Sequence, residues 1–455
     1  MYKIRFLGKA FATPMLFILF IISLVLYIQA PYSYEYSTCI TCLVLYFVVF
    51  FILMIKVYRG QLLSFELFFS LAFIYVNFIY GIFLYNINAN FSLFKFSFNE
   101  EYITKCTCLA LTGYIAYAFF RSKSFKDKIN THRPLEIKTP KWILVIFCVF
   151  TLLSIVSYVS YMGTAYDDIQ RGSLVNLMRE ILNVIVFYLL LAAFYNNKKF
   201  KNVLHAYPLY FWVLLGALML FQLLCGYRTD PMRYALVSLF AYSYFCKRVS
   251  FMQIVIILVI GLFTMHVVGN ARSGEGRNHV EISENELVNM GEDLIINNRS
   301  LYVLTELADK KGCSYGKTFM MNIFSVVPFA QSIIPPILGW NINDLSTPLI
   351  NTYQTFNVGD KDLIGLGTNL IGDLYYTFGL AGVLTFMGLL GILIRQAEAN
   401  MYRSFGFLLI YAMFFSNAIY YTRAEYLNLL RIITWIYILY YFINKKTIRN
   451  VHNLQ

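Results

Sequence analysis

The sequence is poor in charge. Asp, Glu, Lys and Arg make up 13% of its 455 residues, about half the share of an average soluble domain. Beside 59% hydrophobic residues and a mean hydropathy of +0.61, this scarcity excludes a row of two or three water-soluble domains, which the length alone would allow. It also excludes a disordered chain, which needs low hydrophobicity. Histidine is rare, with five residues, and none stands in an H-E-x-x-H or a Cys/His ligand set. No metal site and no cofactor are therefore expected. The phosphate-loop spacing GxxxxGK[ST] is missing. The eight cysteines mostly lie in or beside apolar runs, where cysteine acts as a small hydrophobe. Cys39-x-x-Cys42 has redox or metal spacing but no second pair, and it reads as packing.

What is present is a series of long apolar runs, with aromatics at 18%. A helix crossing about 30 Å of hydrocarbon needs about 20 mostly apolar residues. The runs at 11–29, 39–56, 62–85, 103–120, 142–161, 175–196, 207–225, 231–246, 251–269, 375–394, 404–421 and 427–444 predict an all-α polytopic membrane protein of about twelve spans. The first follows Lys3, Arg5 and Lys9 as a signal peptide would, but it has no small-x-small cleavage site and reads as an uncleaved span. Tyr32, Tyr34, Tyr36 and Trp142 sit where interfacial aromatics are expected.

The formal net charge of +13 would point to nucleic acid in a soluble protein. Here its placement gives another reading. Basic residues crowd alternate loops: Lys56 and Arg59; Arg121, Lys123, Lys126, Lys128, Arg133, Lys138 and Lys141; Lys198, Lys199 and Lys201; Lys247 and Arg248; Arg395 and Arg403; Lys445, Lys446 and Arg449. The loops between hold few, with none in 30–38, Lys95 in 86–102 and Arg171 in 162–174. The positive-inside rule places the first set and both termini in the cytoplasm. The expected partners of the surplus are the bilayer and its headgroups, and no nucleic acid is expected. The chain then divides into spans one to nine (1–269), a large external loop (270–374), and spans ten to twelve with a cytoplasmic tail (375–455).

The external loop opens on a polar stretch, Asn270 to Asp293, and continues into an expected helix over 294–311. A charge-free run from Thr318 to Asn343 follows, broken by Pro328, Pro335 and Pro336. It reads as two short helices dipping into the membrane or lying on it; the alternative is a hairpin of two more spans.

Charges on the external side are the informative ones, because topology does not explain them. Gly226-Tyr227-Arg228-Thr229-Asp230-Pro231-Met232-Arg233 forms the turn between spans seven and eight. Its guanidinium groups suit phosphate. Gly269-Asn270-Ala271-Arg272-Ser273-Gly274-Glu275-Gly276-Arg277-Asn278-His279 follows span nine as an adaptable anion-binding loop. Arg299 lies in the next expected helix. Gly365 to Gly382, containing Asp373, Tyr376 and Thr377, leads into span ten. Arg423 and Glu425 share the last external turn, where they are expected to pair. His266 in span nine reads as packing. Asp360-Lys361-Asp362 resembles a DxD, but nucleotide sugars are cytoplasmic and this loop is expected outside.

The order of four elements resembles the Wzy-type O-antigen and capsule repeat-unit polymerase family. These are Gly226-Tyr227-Arg228 between two central spans, Asn270 to Gly274 after the next span, the long external loop, and G-x-G-x-x-x-x-G-[DE]-x-Y-x-x-x-G over Gly365 to Gly379. The likeness covers roughly residues 205–400. The chain departs from the pattern with Asp373 where Glu is common, and with Thr377-Phe378-Gly379 where Asn-Phe-Gly is common. The resemblance implies a GT-C-like fold in the bacterial inner membrane. It implies a polymerase joining undecaprenyl-diphosphate-linked oligosaccharides at the outer face, without metal, and a chain-length regulator is a compatible further partner. Arg228, Arg272 and Arg299 are then the first candidates for the diphosphate leaving group, with Arg233, Arg277 and Arg423 second. His279, Asp230 and Asp373 are candidates to accept the acceptor hydroxyl's proton. Trp340, Tyr353, Tyr375 and Tyr376 are candidates to stack on sugars. The rivals are a lipid-linked glycan flippase and an O-antigen-ligase-like transferase. Spans nearly free of charge, with charge gathered at one face, weigh against a carrier.

The topology predicts that a cysteine placed at Ser283 is labelled by an impermeant thiol reagent added to intact cells, while one at Ser124 is not. The reverse pattern would invert the protein in the membrane.

Overall fold

A computed structural model describes residues 2–57, 63–86, 98–123, 137–160, 173–197, 199–225, 227–271, 295–355, 367–401 and 404–452. Helices account for nearly all of them, and no strand occurs among the described residues. In chain order they are α1 (Tyr2–Gln29), α2 (Tyr36–Val57), α3 (Phe65–Asn77, extended by a π-turn at Tyr80–Leu84), α4 (Tyr102–Ser122), α5 (Lys141–Ser160), α6 (Ser173–Asn196) and α7 (Phe200–Leu204). Then come α8 (Leu209–Leu224), α9 (Thr229–Ala241, with a π-turn at Tyr242–Cys246), α10 (Phe251–Ala271) and α11 (Asn297–Lys311). The last are α12 (Lys317–Phe324), α13 (Ala330–Ile337), α14 (Thr347–Thr355), α15 (Leu370–Asn400), α16 (Phe405–Tyr421) and α17 (Leu430–His452).

Each expected span falls on a helix. Among the described residues six helices are long and apolar enough to cross a bilayer: α1, α2, α4, α5, α6 and α15. The helices α3, α8 and α16, and the Phe251–Gly261 part of α10, are apolar but shorter. The charge-free run forms α12 and α13, eight residues each. Each rises about 12 Å, well under the hydrocarbon thickness of about 30 Å. The reading of two short helices therefore holds, and the hairpin of two further spans does not. Pro335 and Pro336 lie near the end of α13, beyond which their rings and missing N–H groups stop the helix.

Burial sorts the helices into a centre and a rim. The helix α4 is almost wholly buried inside the protein, whereas most of α1 and of α2 is not. The rim presents Phe11, Ile18, Val44, Phe51, Leu209 and Val259 outward, as a lipid-facing surface does. The centre is the α4–α15 pair, and glycine sets its closeness. A Cβ on Gly391 would stand 2.5 Å from the Tyr117 carbonyl oxygen and 2.9 Å from the Arg121 nitrogen, and one on Gly388 would meet the Phe120 ring at 2.7 Å. Small residues that let backbones approach are the usual source of helix association in lipid, where burial of apolar surface contributes little.

Polar contacts gather the loops at two ends. At one, Tyr27 bonds Tyr375 at 3.2 Å, Tyr34 donates to the Gly81 carbonyl at 2.8 Å, and the Glu35 N–H donates to Thr104 at 2.8 Å. These residues lie in the loop 30–38 or at the span ends expected on the outer side. At the other, Arg395 donates to the carbonyls of Phe120 and Lys123 at 3.0 and 2.8 Å, and Tyr188 donates to the Lys138 carbonyl at 2.6 Å.

Two expectations need correction. Arg121 is not a solvated loop cation: it is 4% exposed and forms ion pairs with Glu66 and Glu398. The spans are also less free of charge than their hydropathy implies. Glu66, Lys105, Arg179, Glu180 and Arg431 all lie within them. Buried Lys105 donates to the Tyr27 carbonyl at 2.8 Å. A single charge in a 20-residue run barely moves its average hydropathy, yet its solvation must be replaced by protein partners.

The α4–α15 contact predicts that Gly391→Val lowers stability by about 1–3 kcal/mol, the usual cost of overpacking, or prevents accumulation. The midpoint of thermal unfolding in detergent, with Gly216→Val as control because nothing lies near that position, measures it. Equal midpoints for the two variants would contradict this account of the core.

Candidate functional site

The turn before α9 shows how local sequence builds the site. Arg228 is the N-cap position, and Thr229-Asp230-Pro231 makes the first turn. Proline is tolerated there because its missing N–H has no helical partner, and an acidic residue complements the N-terminal dipole. Asp230 is thereby directed into the protein, where it is 3% exposed. One of its oxygens lies 3.2 Å from Nη1 of Arg233 and the other 3.4 Å from Nε of Arg179 on α6. Arg233 is fixed a second time, by Nε donating to Oδ1 of Asn417 on α16 at 2.6 Å.

The end of α16 completes the cluster. The guanidinium groups of Arg233 and Arg423 lie 5.5 and 5.3 Å from the centre of the Tyr420 ring, both within cation–π range. Arg228, Arg233 and Arg423 line one small cleft with Tyr420, Met232 and Leu236. Arg179 lies 5.1 Å over the Tyr227 ring. Next to Arg179, Glu180 accepts from Arg431 of α17 at 2.8 Å. Arg179 and Arg233 share Asp230, Arg431 pairs with Glu180, and Arg228 and Arg423 line the same partly apolar cleft as Arg233. Arginine keeps its charge in such surroundings and matches phosphate oxygens in pairs.

The glycine-rich element does something different. Gly367 has φ +69, and a Cβ there would meet Oδ1 of Asn297 at 2.7 Å. Gly372 lies against the backbone of Leu301. Asn369 caps α15 by accepting from the N–H groups of Ile371 and Gly372, and its amide donates to Oδ1 of Asn77 at 3.0 Å. At Gly379, φ +66 and ψ −158 form a kink open only to glycine. Where they are described, these glycines seat α15 against α11.

Asp373 and Glu425 tie the short helices α12 and α14 down. Asp373, 1% exposed, accepts from Oγ1 of Thr347 at 3.0 Å and from the N–H of Tyr426 at 2.9 Å. One oxygen of Glu425 accepts from Ser346 and the Thr347 N–H, and the other from Asn322 at 2.9 Å. The expected pairing of Glu425 with Arg423 gives way to these bonds, while Arg423 lies over Tyr420. Burial raises Glu425 above its usual 4.5, against the opposing effect of those donors.

The expected site residues therefore separate. Arg228, Asp230, Arg233 and Arg423 come together. Arg299, 3% exposed, is apart from them: it donates to Asn351 at 3.2 Å, and burial lowers it to about 10. Asp373 is committed to Thr347 and Tyr426, and Tyr376 packs on Leu304, Leu307 and Ile350. Tyr375 donates to Asp309 at 2.8 Å. Arg272, Arg277 and His279 lie outside the described residues, as does Asp360-Lys361-Asp362. Arg179, Glu180, Asn417, Tyr420 and Arg431 are absent from the sequence reading. The signal for three of them was present, since ionisable residues inside spans mark sites by default. Cys39 and Cys42 are buried and free, as packing residues are. Among the described residues no three His, Cys, Asp or Glu side chains converge as metal ligands would.

The hub around Glu425 has a pH signature. A carboxyl whose folded pKa is raised contributes stability that is present at and below its unfolded value and is lost as pH rises through the folded one. The midpoint of thermal unfolding should fall as pH rises from about 4.5, and the fall should be smaller in Glu425→Gln. Superimposable pH profiles would remove burial as the cause.

One family model, described as O-antigen polysaccharide polymerase Wzy, matches residues 10–450. No curated protein and no solved structure matches. With nearly the whole chain covered, the protein belongs to the Wzy O-antigen polysaccharide polymerase family.

Proposed function

We propose that, as a member of this family of glycosyltransferase-type membrane polymerases acting on lipid-linked oligosaccharide, the chain joins undecaprenyl-diphosphate-linked repeats at the outer face of the inner membrane. In this reading twelve helices cross the bilayer in a GT-C-like arrangement, and both termini are cytoplasmic. The observation that carries the chemistry is the arginine cleft, in which Arg228, Arg233 and Arg423 converge from two separate turns around Tyr420.

The growing glycan breaks its bond to the diphosphate oxygen as a hydroxyl of the incoming repeat bonds the same sugar carbon. Negative charge develops on the departing diphosphate, where preorganised guanidiniums stabilise it more than they stabilise the ground state. Asp230 and Asn417 act as positioning residues, holding Arg233 in place before substrate arrives. With both carboxylate oxygens next to arginines, Asp230 is poorly placed to take a proton. Asp373 is likewise occupied. His279 is the remaining candidate for the hydroxyl's proton, and Arg272 and Arg277 on the same segment are candidates for further phosphate contacts. Arginines in the place of a divalent cation fit a metal-independent transfer.

The test is reconstitution in liposomes with lipid-linked repeats, without nucleotide sugar or added divalent metal. Lengthening chains are expected. Arg228→Ala and Arg423→Ala should each lower the rate by roughly 100-fold or more, with the unfolding midpoint kept, and cells should carry single repeats in place of long glycan. Arg233→Lys should not restore the rate, because an ammonium lacks the planar fork. Translocation of the lipid-linked repeat without lengthening would favour the flippase instead, and wild-type ladders in the arginine variants would dismiss the cleft.

A further inference from the structure

The transfer proposed above consumes two lipid-linked molecules, and each brings a diphosphate and a polyprenyl tail. The arginine cleft is the smaller of two. A second, larger cleft lies under the α12–α13 pair. Arg431, Ser325, Gln331 and Ser332 supply its polar wall, while Val327 and Phe329 supply an apolar one. Arg431 has a side chain 30% exposed, so its bond to Glu180 leaves part of the guanidinium open to the cleft. It also lies 5.9 Å over the ring of Trp435, another residue of the lining.

The roof of this cleft is held in place. Trp435 donates to the Val326 carbonyl at 2.7 Å, Asn322 donates to Glu425 at 2.9 Å, and the Phe319 ring packs among Phe378, Phe386 and Tyr426. Its outer face is apolar and bare: Val327 is 61% exposed and Ile337 76%. No charged residue occurs from Thr318 to Asn343, so nothing in the run opposes contact with hydrocarbon. Phe329 has φ +65, a strained conformation for a bulky residue, and its ring is more than half exposed beside the cleft. A cleft with a guanidinium inside and an uncharged apolar rim is complementary to an amphiphile with an anionic head.

We infer that the α12–α13 pair lies in the outer leaflet and that the cleft beneath it, around Arg431, binds the diphosphate of a second polyprenyl-linked molecule, the acceptor repeat. The inference rests on the polymerase reading for its need of two substrates. An ion-paired chain joins the two sites: Asp230 to Arg179, then the neighbouring Glu180 to Arg431. It ties α9, α6 and α17 together, so the two heads are held at a fixed separation.

The test uses the full-length protein in detergent micelles with farnesyl diphosphate as probe, counting bound molecules by native mass spectrometry and titrating each variant. Two molecules are expected on the wild type. Arg423→Gln should weaken one by about tenfold or more, and Arg431→Gln the other. Ser332→Trp, which fills the cleft at an exposed position and leaves every ion pair in place, should also remove the second. Inorganic pyrophosphate should compete at least tenfold less well than the probe at the Arg431 site. One molecule, lost in Arg423→Gln and unaffected by Ser332→Trp, would overturn the second site while leaving the arginine cleft standing. One molecule, lost only in the Arg431→Gln and Ser332→Trp variants, would support this site and overturn the first. No bound molecule would overturn both. Equal competition by pyrophosphate would overturn the lipid part of the inference.

Discussion

A buried carboxylate shared by two arginines organises this protein. Asp230, almost without solvent, stands between Arg179 of α6 and Arg233 of α9. In a low-dielectric surrounding each of these charges is costly alone and acceptable only in company. The pairing therefore fixes α6 against α9, and Asn417 extends the constraint to α16. Arg233, held by Asp230 and Asn417, lines a cleft together with Arg228 and Arg423. The same pairing that holds three helices together brings these arginines onto one cleft.

A second constraint acts on the segment outside the spans. Short helices of eight or nine residues are not stable on their own, so α12, α13 and α14 depend on tertiary anchors. For α12 and α14 the anchors are two buried carboxylates, one on α15 and one in the turn after α16: Asp373 receives Thr347 and the Tyr426 N–H, and Glu425 receives Asn322, Ser346 and Thr347. Glu425 lies two residues from Arg423. The turn between α16 and α17 thus serves the arginine cleft on one side and the roof of the Arg431 cleft on the other. Packing of α11 on α15, made close by Gly367 and Gly372, supports the same arrangement from behind.

Much of the architecture was legible in the chain, because hydrophobic length and loop charge are local properties. All twelve apolar runs became helices, and the uncharged stretch with its prolines became two short ones. The site was legible only in part. Arg228, Asp230 and Arg233 are near neighbours in a turn, and adding Arg423 needed no more than a shared external face. Arg179, Glu180 and Arg431 were hidden by averaging, since one charge among apolar residues leaves hydropathy high. Asp373 and the glycines drew attention as a motif, yet their part in the fold is to cap, kink and anchor. A motif records that certain residues are needed together. It does not say whether packing or chemistry needs them.

By itself the sequence determined the helical class, the positions of the apolar runs, the segregation of charge along the chain and the family. Each depends on residues close in the chain or on their order along it. Only the tertiary structure decided which arginines converge, which carboxylates are spoken for, and where a second cleft opens. Those outcomes depend on contacts between residues far apart in sequence, such as Arg233 with Asn417, Arg431 with Glu180 and Trp435 with Val326. The physical reason is desolvation: a charge or amide removed from water takes whatever partner the packed helices bring within reach, and no local pattern encodes which one that is.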